Sequence, residues 1–151
     1  MDDQSLFHIA PEFRLSYAPD LPGVVMVWRG YHTSEAFRAL NEQVLAALVA
    51  HGADRILCDI RHFLLIGAED QRWLSGDWLP RAIAAGLKRC AIVTPLYFFN
   101  RVAVGAVVER LDATQVRVEY FEDVEPARAW LRQDRDGLPS PLRTAGGSPP
   151  G

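Results

Sequence analysis

Hydrophobic residues fall into short runs along this chain, and proline, glycine and polar residues separate the runs. Residues 13–17 and 24–28 form two early runs, and the proline- and glycine-containing segment between them predicts a β-hairpin. Three later runs, 55–60, 89–94 and 116–121, each have the length of a strand. The first of these is apolar almost throughout, which is typical of a central strand that is covered on both faces.

Between these strands, apolar residues recur every three or four positions, which is the spacing of an amphipathic helix. The first helix is expected to begin at Thr33 or Ser34, whose hydroxyl can cap it, and to end at Gly52. Later helices are expected over residues 98–111 and after Asp123, which can cap the last one. Helices and strands therefore alternate after the hairpin.

The segment 68–85 is expected to be a broken helix. Trp73 and Trp78 lie five positions apart, so a regular helix would place them on different faces. We predict a break at Gly76 and a second helical piece that is capped by Asp77.

This order of elements predicts an α/β fold, with a mixed, mostly parallel sheet of four to five strands and about four helices. Strands that are joined through helices run parallel, and their crossovers are expected to be right-handed. Residues 1–133 are expected to form this single domain. Residues 134–151 contain few apolar residues and many prolines and glycines, so we predict a flexible C-terminal tail.

Composition excludes several classes of function. The chain has 151 residues and a formal net charge of -3, so no strong positive field favours nucleic acid or an anionic membrane. The most hydrophobic stretch, 91–108, contains Pro95, Asn100 and Arg101, so no membrane span is expected. The acidic start of the chain does not resemble a signal peptide, and we expect a cytoplasmic protein.

No motif for catalysis, a metal or a cofactor is found in the sequence. The four histidines lack the short spacing of a metal site, and neither a phosphate-binding loop nor a nucleophile elbow occurs. Cys58 and Cys90 lie within apolar runs and are expected to be reduced core residues. We therefore expect a non-enzymatic protein without a cofactor. The enzymatic alternative uses His62 as an acid or base beside Asp59 or Glu69.

Candidate binding residues gather where the predicted strands end. In open α/β sheets, ligands bind outside the carboxyl ends of the strands. Arginines and helix amino ends at this edge would suit an anionic group. The apolar run 63–66 precedes two tryptophans, and this group would form a partner surface or a lid over an apolar ligand. The candidate site residues are Tyr31, His32, Arg61, His62, Glu69, Trp73, Trp78, Tyr97, Asn100 and Arg101.

Three local sequences follow the order of elements of a known fold family. They are Leu57-Cys58-Asp59-Ile60-Arg61 in the central strand, the segment 78–88 before Ala91-Ile92-Val93, and Val118-Glu119-Tyr120-Phe121 before the final helix. Over residues 12–132 the chain resembles the STAS domain of bacterial anti-sigma-factor antagonists, and more closely its SpoIIAA-like relatives. The resemblance implies a STAS-like fold and a regulatory or protein-interaction role.

STAS antagonists carry a phosphorylatable Ser or Thr at the start of the helix after the central strand. Here that position falls on residues 67–70, and no Ser or Thr occurs between Asp59 and Ser75. We therefore expect the phosphorylation switch of the family to be missing. Glu69 places permanent negative charge near a helix start, which favours the helix by about 0.3 to 1 kcal/mol.

The resemblance and the lack of catalytic motifs favour another protein as the partner, bound through the segment 61–78. Nucleic acid is not expected. Two alternatives stay open: a small apolar or anionic ligand, including a lipid, at the strand carboxyl ends, and a homodimer.

Overall fold

A single sheet of six strands organises the chain, in a computed structural model that describes residues 5–10 and 12–133, with side chains from residue 12 onward. Strands that are consecutive in the chain are neighbours in the sheet. The first three strands are antiparallel and the last four run parallel. The strands are β1 (Ser5–Ala10), β2 (Phe13–Ala18), β3 (Gly23–Gly30), β4 (Arg55–Phe63), β5 (Arg89–Val93) and β6 (Arg117–Phe121).

Helices connect the parallel strands and follow the last of them. Between β4 and β5 a π turn, Leu74–Trp78, joins two short helices into one continuous helical segment. The helices are α1 (Ser34–His51), α2 (Ala68–Trp73), α3 (Leu79–Ala84), α4 (Phe98–Glu109) and α5 (Val124–Arg132).

The helices cover the two faces of the sheet unequally. Right-handed crossovers between adjacent parallel strands place their helices on the same face. Accordingly, Phe37 of α1, Ala82 of α3 and Val104 of α4 share one large core with the sheet. Ala127 and Leu131 of α5 form a smaller core on the other face, against β4 and β5. The central strand β4 is therefore covered on both faces, as predicted.

The predicted hairpin and first helix are confirmed. β2 and β3 pair antiparallel, and α1 occupies Ser34–His51. The Oγ1 atom of Thr33 accepts a hydrogen bond from the Ala36 amide at 3.1 Å. Gly52 ends the helix with a φ of 58°, a left-handed conformation that glycine adopts without steric cost.

The predicted break in the segment 68–85 is wrong, because a π turn keeps the helix continuous. The hydrogen bonds of a π turn join residues five positions apart, so the turn holds one residue more than a regular turn. That extra residue brings Trp73 and Trp78 to the same side of the helix. Both tryptophans consequently pack against the core between the sheet and its helices.

Asp77 does not cap α3, contrary to the prediction. Trp78 occupies the position before the helix, and no side chain caps it. The Asp77 carboxylate instead forms an ion pair with Arg81 on the same helical segment, with an N···O distance of 3.2 Å. No cap is required, because the π turn supplies the helical residues that precede α3.

The sheet has six strands, whereas four to five were predicted. β1 pairs antiparallel with β2 at the edge, with a bulge between Leu6 and His8. The central strand also runs beyond its predicted end, to Phe63. The tail predicted for residues 134–151 lies outside the described residues.

Two buried arginines hold the carboxyl end of α5 over the sheet. Arg55 and Arg89 are paired in register on β4 and β5. Arg55 donates to the carbonyl oxygens of Leu131 and Gln133, and Arg89 donates to the Gln133 carbonyl at 2.7 Å. Cations at a helix carboxyl end are favoured by the helix dipole. At the amino edge of the parallel strands, these two arginines therefore stabilise the packing of α5 on the sheet.

Candidate functional site

Exposed apolar side chains concentrate at the carboxyl edge of the parallel strands. Among the described side chains, ten large hydrophobic ones are exposed, and eight of these follow the ends of β3, β4 or β5. Phe98 and Phe99 are the most exposed, at 68% and 74%. We call this surface the carboxyl-edge patch, and it comprises Tyr31, Leu64, Leu65, Leu96, Tyr97, Phe98, Phe99 and Val102.

Two backbone hydrogen bonds hold the loops of the patch side by side. The Leu64 amide donates to the Gly30 carbonyl at 2.9 Å, which sets the loop after β4 beside the end of β3. The Leu96 amide donates to the Arg61 carbonyl at 3.0 Å, which sets the loop after β5 beside β4. The three loops therefore form one surface.

Asn100 joins the loop after β4 to the first turn of α4. Its Nδ2 donates to the Phe63 carbonyl at 3.0 Å, and its Oδ1 accepts from the Ile66 amide at 3.0 Å. The sequence placed Asn100 among the surface candidates, but the side chain is fully buried beneath the patch. A carboxamide suits this position because it offers a donor and an acceptor. Asn100 is thus a positioning residue.

A β-bulge at the end of β4 turns two predicted site residues away from the large core. The register between β3 and β4 shifts at this point. Ile60 and Phe63 both belong to the large core, on the face that α1, α3 and α4 cover. Arg61 and His62, which lie between them, therefore both point to the other side, as the extra residue of a bulge requires.

The two arginines among the predicted site residues already have partners. Arg61 Nε and Nη2 donate to the Asp59 carboxylate at 3.0 and 2.9 Å. These bonds raise the pKa of the Arg61 guanidinium above its ordinary value. Arg101 Nε and Nη2 lie 3.3 and 3.2 Å from the Pro95 carbonyl oxygen. An anionic ligand would have to compete with these acceptors for the guanidinium donors.

Of the predicted site residues Tyr97 and His32, only Tyr97 belongs to the carboxyl-edge patch. Tyr97 belongs to the patch and occupies the position before α4. His32 is half-buried, with Nε2 3.1 Å from the carbonyl oxygens of Glu12 and Arg29. Its ring also meets the Trp28 ring edge-on, with centroids 5.1 Å apart. His32 therefore supports the end of β3 from beneath.

The two tryptophans of the predicted site belong to the helical layer. Trp78 is buried, and its indole Nε1 donates to the Asn41 carbonyl at 2.7 Å. Trp73 is half-buried, and the guanidinium of Arg38 lies 5.3 Å from its ring centroid. The exposed large apolar side chains of the segment 61–78 come instead from the loop after β4.

Element order, sheet direction and helix placement agree with the resemblance seen in the sequence. The sequence profile of the SpoIIAA-like family matches residues 24–132, which run from β3 through α5. This chain belongs to the SpoIIAA-like family. No curated protein matches it. Within the part of the chain that the structure describes, none of the helices has the length and apolar character needed to cross a membrane.

In this SpoIIAA-like domain, two carboxylates lie in the first turn of α2, those of Glu69 and Asp70. The helix starts after Gly67, and Glu69 is exposed in its first turn. Asp70 is buried, and its Oδ1 accepts hydrogen bonds from Ser34 Oγ at 2.7 Å and Arg38 Nε at 2.8 Å. Asp70 therefore links α2 to α1.

Sequence reasoning missed the most exposed part of this SpoIIAA-like surface. Of the exposed large apolar residues between positions 96 and 102, the site predicted from the sequence includes Tyr97 but not Leu96, Phe98, Phe99 or Val102. Phe98, Phe99 and Val102 share one face of α4, and Ala103, Val104 and Val107 share the opposite, buried face. Apolar residues on both faces were the signal, because a helix that packs on a sheet buries only one of them.

The two cysteines of the domain are free thiols, as expected. Burial raises the pKa of Cys58 well above its ordinary value and that of Cys90 to about 12. A protonated thiol is a poor nucleophile. Neither cysteine is therefore suited to nucleophilic catalysis.

Proposed function

We propose that this SpoIIAA-like domain is a non-enzymatic regulatory module that binds another protein through the carboxyl-edge patch, without a phosphorylation switch. The observation that carries the proposal is the concentration of eight exposed large apolar side chains at one edge of the sheet. Single exposed hydrophobic residues are ordinary, but a contiguous apolar surface marks a site of interaction.

The composition of the patch favours a protein partner. Four of its members are aromatic, and aromatic side chains are enriched at the centres of protein interfaces. The Phe98 and Phe99 rings lie with centroids 5.3 Å apart and nearly perpendicular, as a pair at the start of α4. The polar side chains of His62 and Arg101 are exposed at the same edge and would supply the polar rim of an interface.

Rigidity of the patch also favours binding. The loops are held by hydrogen bonds to Gly30, Arg61 and Asn100. A surface that is already ordered loses less conformational entropy on association than a mobile one. The patch is therefore prepared for a partner in its present conformation.

The start of α2 supports binding without a phosphorylation switch. Phosphorylation acts by adding negative charge and acceptor oxygens. Glu69 and Asp70 place carboxylates here permanently, and Asp70 already bonds to Ser34 and Arg38. We propose that the domain is constitutively competent to bind.

The enzymatic alternative is less well supported. Both carboxylate oxygens of Asp59 accept hydrogen bonds from Arg61. Among the described residues, no hydrogen bond joins Asp59 or Glu69 to His62.

The free thiols Cys58 and Cys90 agree with the reducing, cytoplasmic setting that we propose for a bacterial regulator.

The proposal is tested by affinity capture with two surface variants, each of which replaces exposed apolar side chains by serine. Phe98→Ser with Phe99→Ser removes the aromatic pair of the patch. Val49→Ser removes an exposed apolar side chain from α1, away from the patch. Quantitative mass spectrometry of the captured proteins, with circular dichroism to verify folding, compares both variants with the unaltered chain.

We expect a protein that is captured by the unaltered chain and by Val49→Ser but lost with the double phenylalanine variant. Sedimentation of the purified protein, at concentrations up to those used for capture, identifies a second copy of this chain as the partner. Capture that is unchanged by the double variant, in folded protein, contradicts the proposal.

A further inference from the structure

An apolar cavity of about 90 Å³ lies between the sheet and its helical layer, apart from the carboxyl-edge patch. The sheet contributes Met26 and Ile92 to its walls, the π turn contributes Leu74 and Trp78, and α4 contributes Val107. Well-packed cores contain few voids larger than a water molecule. The size of this cavity therefore calls for an explanation.

Asn41 is the polar exception in the wall of this cavity. The residue is 2% exposed and lies on α1. Its side-chain Nδ2 donates to the Phe37 carbonyl at 2.9 Å, and its backbone carbonyl accepts from the Trp78 indole at 2.7 Å. No described residue donates a hydrogen bond to its side-chain oxygen, Oδ1. Buried acceptors in proteins are almost always satisfied, so this atom points to a missing donor.

Water is a poor candidate for that donor. A buried water molecule is typically held by two to four polar partners. The other side chains that line the cavity are aliphatic, aromatic or sulfur-containing. A molecule that combines one donor with an apolar body matches these walls better.

We propose that the cavity binds a small, mainly apolar molecule with a single hydrogen-bond donor, such as a short-chain alcohol, whose hydroxyl donates to Asn41 Oδ1. An engineered apolar cavity of about 150 Å³ accepts benzene. A cavity of about 90 Å³ therefore selects molecules with fewer non-hydrogen atoms than benzene.

The helical wall offers a route by which such a molecule enters. Leu79, Val108 and Leu111 line the cavity and are only half-buried. The π turn forms the adjacent wall, and such turns occur frequently at functional sites in helices. Movement of these side chains admits the ligand between α3 and α4 without unfolding the sheet.

The test compares butan-1-ol with methyl propyl ether, an isomer that has the same atoms but no donor. Binding is followed through the indole N–H signals of Trp28 and Trp78 in NMR spectra of the full chain. We expect both signals to shift saturably with butan-1-ol, at an affinity about two- to tenfold higher than with the ether. Absence of saturable shifts, or equal affinity for the two isomers, overturns the proposal.

Two substitutions locate the effect. Asn41→Leu removes the acceptor and should abolish the preference for the alcohol while binding of the ether persists. Val107→Phe fills the cavity and should abolish binding of both molecules. A preference for the alcohol that survives in folded Asn41→Leu overturns the role of Oδ1. The comparison of the two isomers in the unaltered chain stands even if a variant does not fold.

Discussion

The Asn100 side-chain oxygen accepts a hydrogen bond from the Ile66 amide at 3.0 Å, and this bond joins α4 to a loop 34 positions earlier in the chain. The same carboxamide donates to the Phe63 carbonyl at 3.0 Å. One buried side chain thus fixes both the loop that carries Leu64 and Leu65 and the helix that carries the exposed phenylalanine pair.

Asn100→Leu should destabilise the fold by about 1 to 3 kcal/mol for each buried backbone group that loses its partner. Urea unfolding measures this loss, and amide hydrogen exchange should increase across residues 63–66. The matched control is Phe99→Leu at the preceding position, where the side chain is 74% exposed and has no polar group, and the cost should stay within about 0.5 kcal/mol. Equal losses in the two variants would contradict the positioning role of Asn100.

The two thiols should make stability fall in alkaline solution. Burial raises the pKa of Cys58 well above 9.0 and that of Cys90 to about 12, so the folded protein keeps protons that the unfolded chain releases. The contribution of the buried thiols to the free energy of unfolding is complete below pH 9.0. It is lost as the pH rises above 9.0, and for Cys90 this loss continues up to a pH of about 12. The slope should approach about 1.4 kcal/mol per pH unit for each thiol.

Urea unfolding between pH 8 and about 10.5 measures this slope. The variant with Cys58→Ala and Cys90→Ala should be less stable at pH 8, because it loses core volume. It should nevertheless show a shallower decline with pH. Parallel declines in the two proteins would refute the assignment to the thiols.

Asp70 should couple α1 to α2, and Glu69 should not. Asp70→Ala leaves Ser34 and Arg38 without their shared acceptor, at an expected cost of about 1.5 to 3 kcal/mol. Glu69→Ala removes an exposed carboxylate and should cost about 0.3 to 1 kcal/mol through the helix dipole. Thermal unfolding of both variants, with Ser34→Ala added to each, separates the two cases. Additive effects of Ser34→Ala and Asp70→Ala would argue against the link.

Truncation after Asp134 should leave the domain intact. The Gln133 carbonyl, which accepts from Arg55 and Arg89, is retained in the shortened chain. The thermal midpoint should therefore change by no more than the few degrees that correspond to about 1 kcal/mol. A larger fall, or a new oligomeric state in sedimentation, would mean that the tail packs on the domain.

The elements with clear local signals were predictable from the sequence. Helix α1 was predictable from the helical spacing of its apolar residues, which include Phe37 and Leu48, and from its capping residues Thr33 and Gly52. Turn residues predicted the β2–β3 hairpin in the same way. These features are local, because hydrogen bonds between near neighbours decide them.

The features that the sequence did not predict depend on contacts between distant parts of the chain. A π turn contains one residue more than a regular helical turn, so the spacing of residues alone does not distinguish it from a helix break. The packing of Trp73 and Trp78 on the core favours the π turn. The burial of Asn100 depends on Phe63 and Ile66, which no periodicity connects to it. The resemblance to STAS domains predicted the fold but not which apolar residues stay exposed.

Site-specific photo-crosslinking in cells tests the central claim most directly. A photoreactive phenylalanine analogue replaces Phe99 in the patch or Val49 on α1, both of which are exposed. We predict one dominant cross-linked protein from position 99, lost when Phe98→Ser is added, and none of that protein from position 49. The same cross-linked proteins from both positions, or none from position 99, would contradict the assignment of the carboxyl-edge patch as the binding surface.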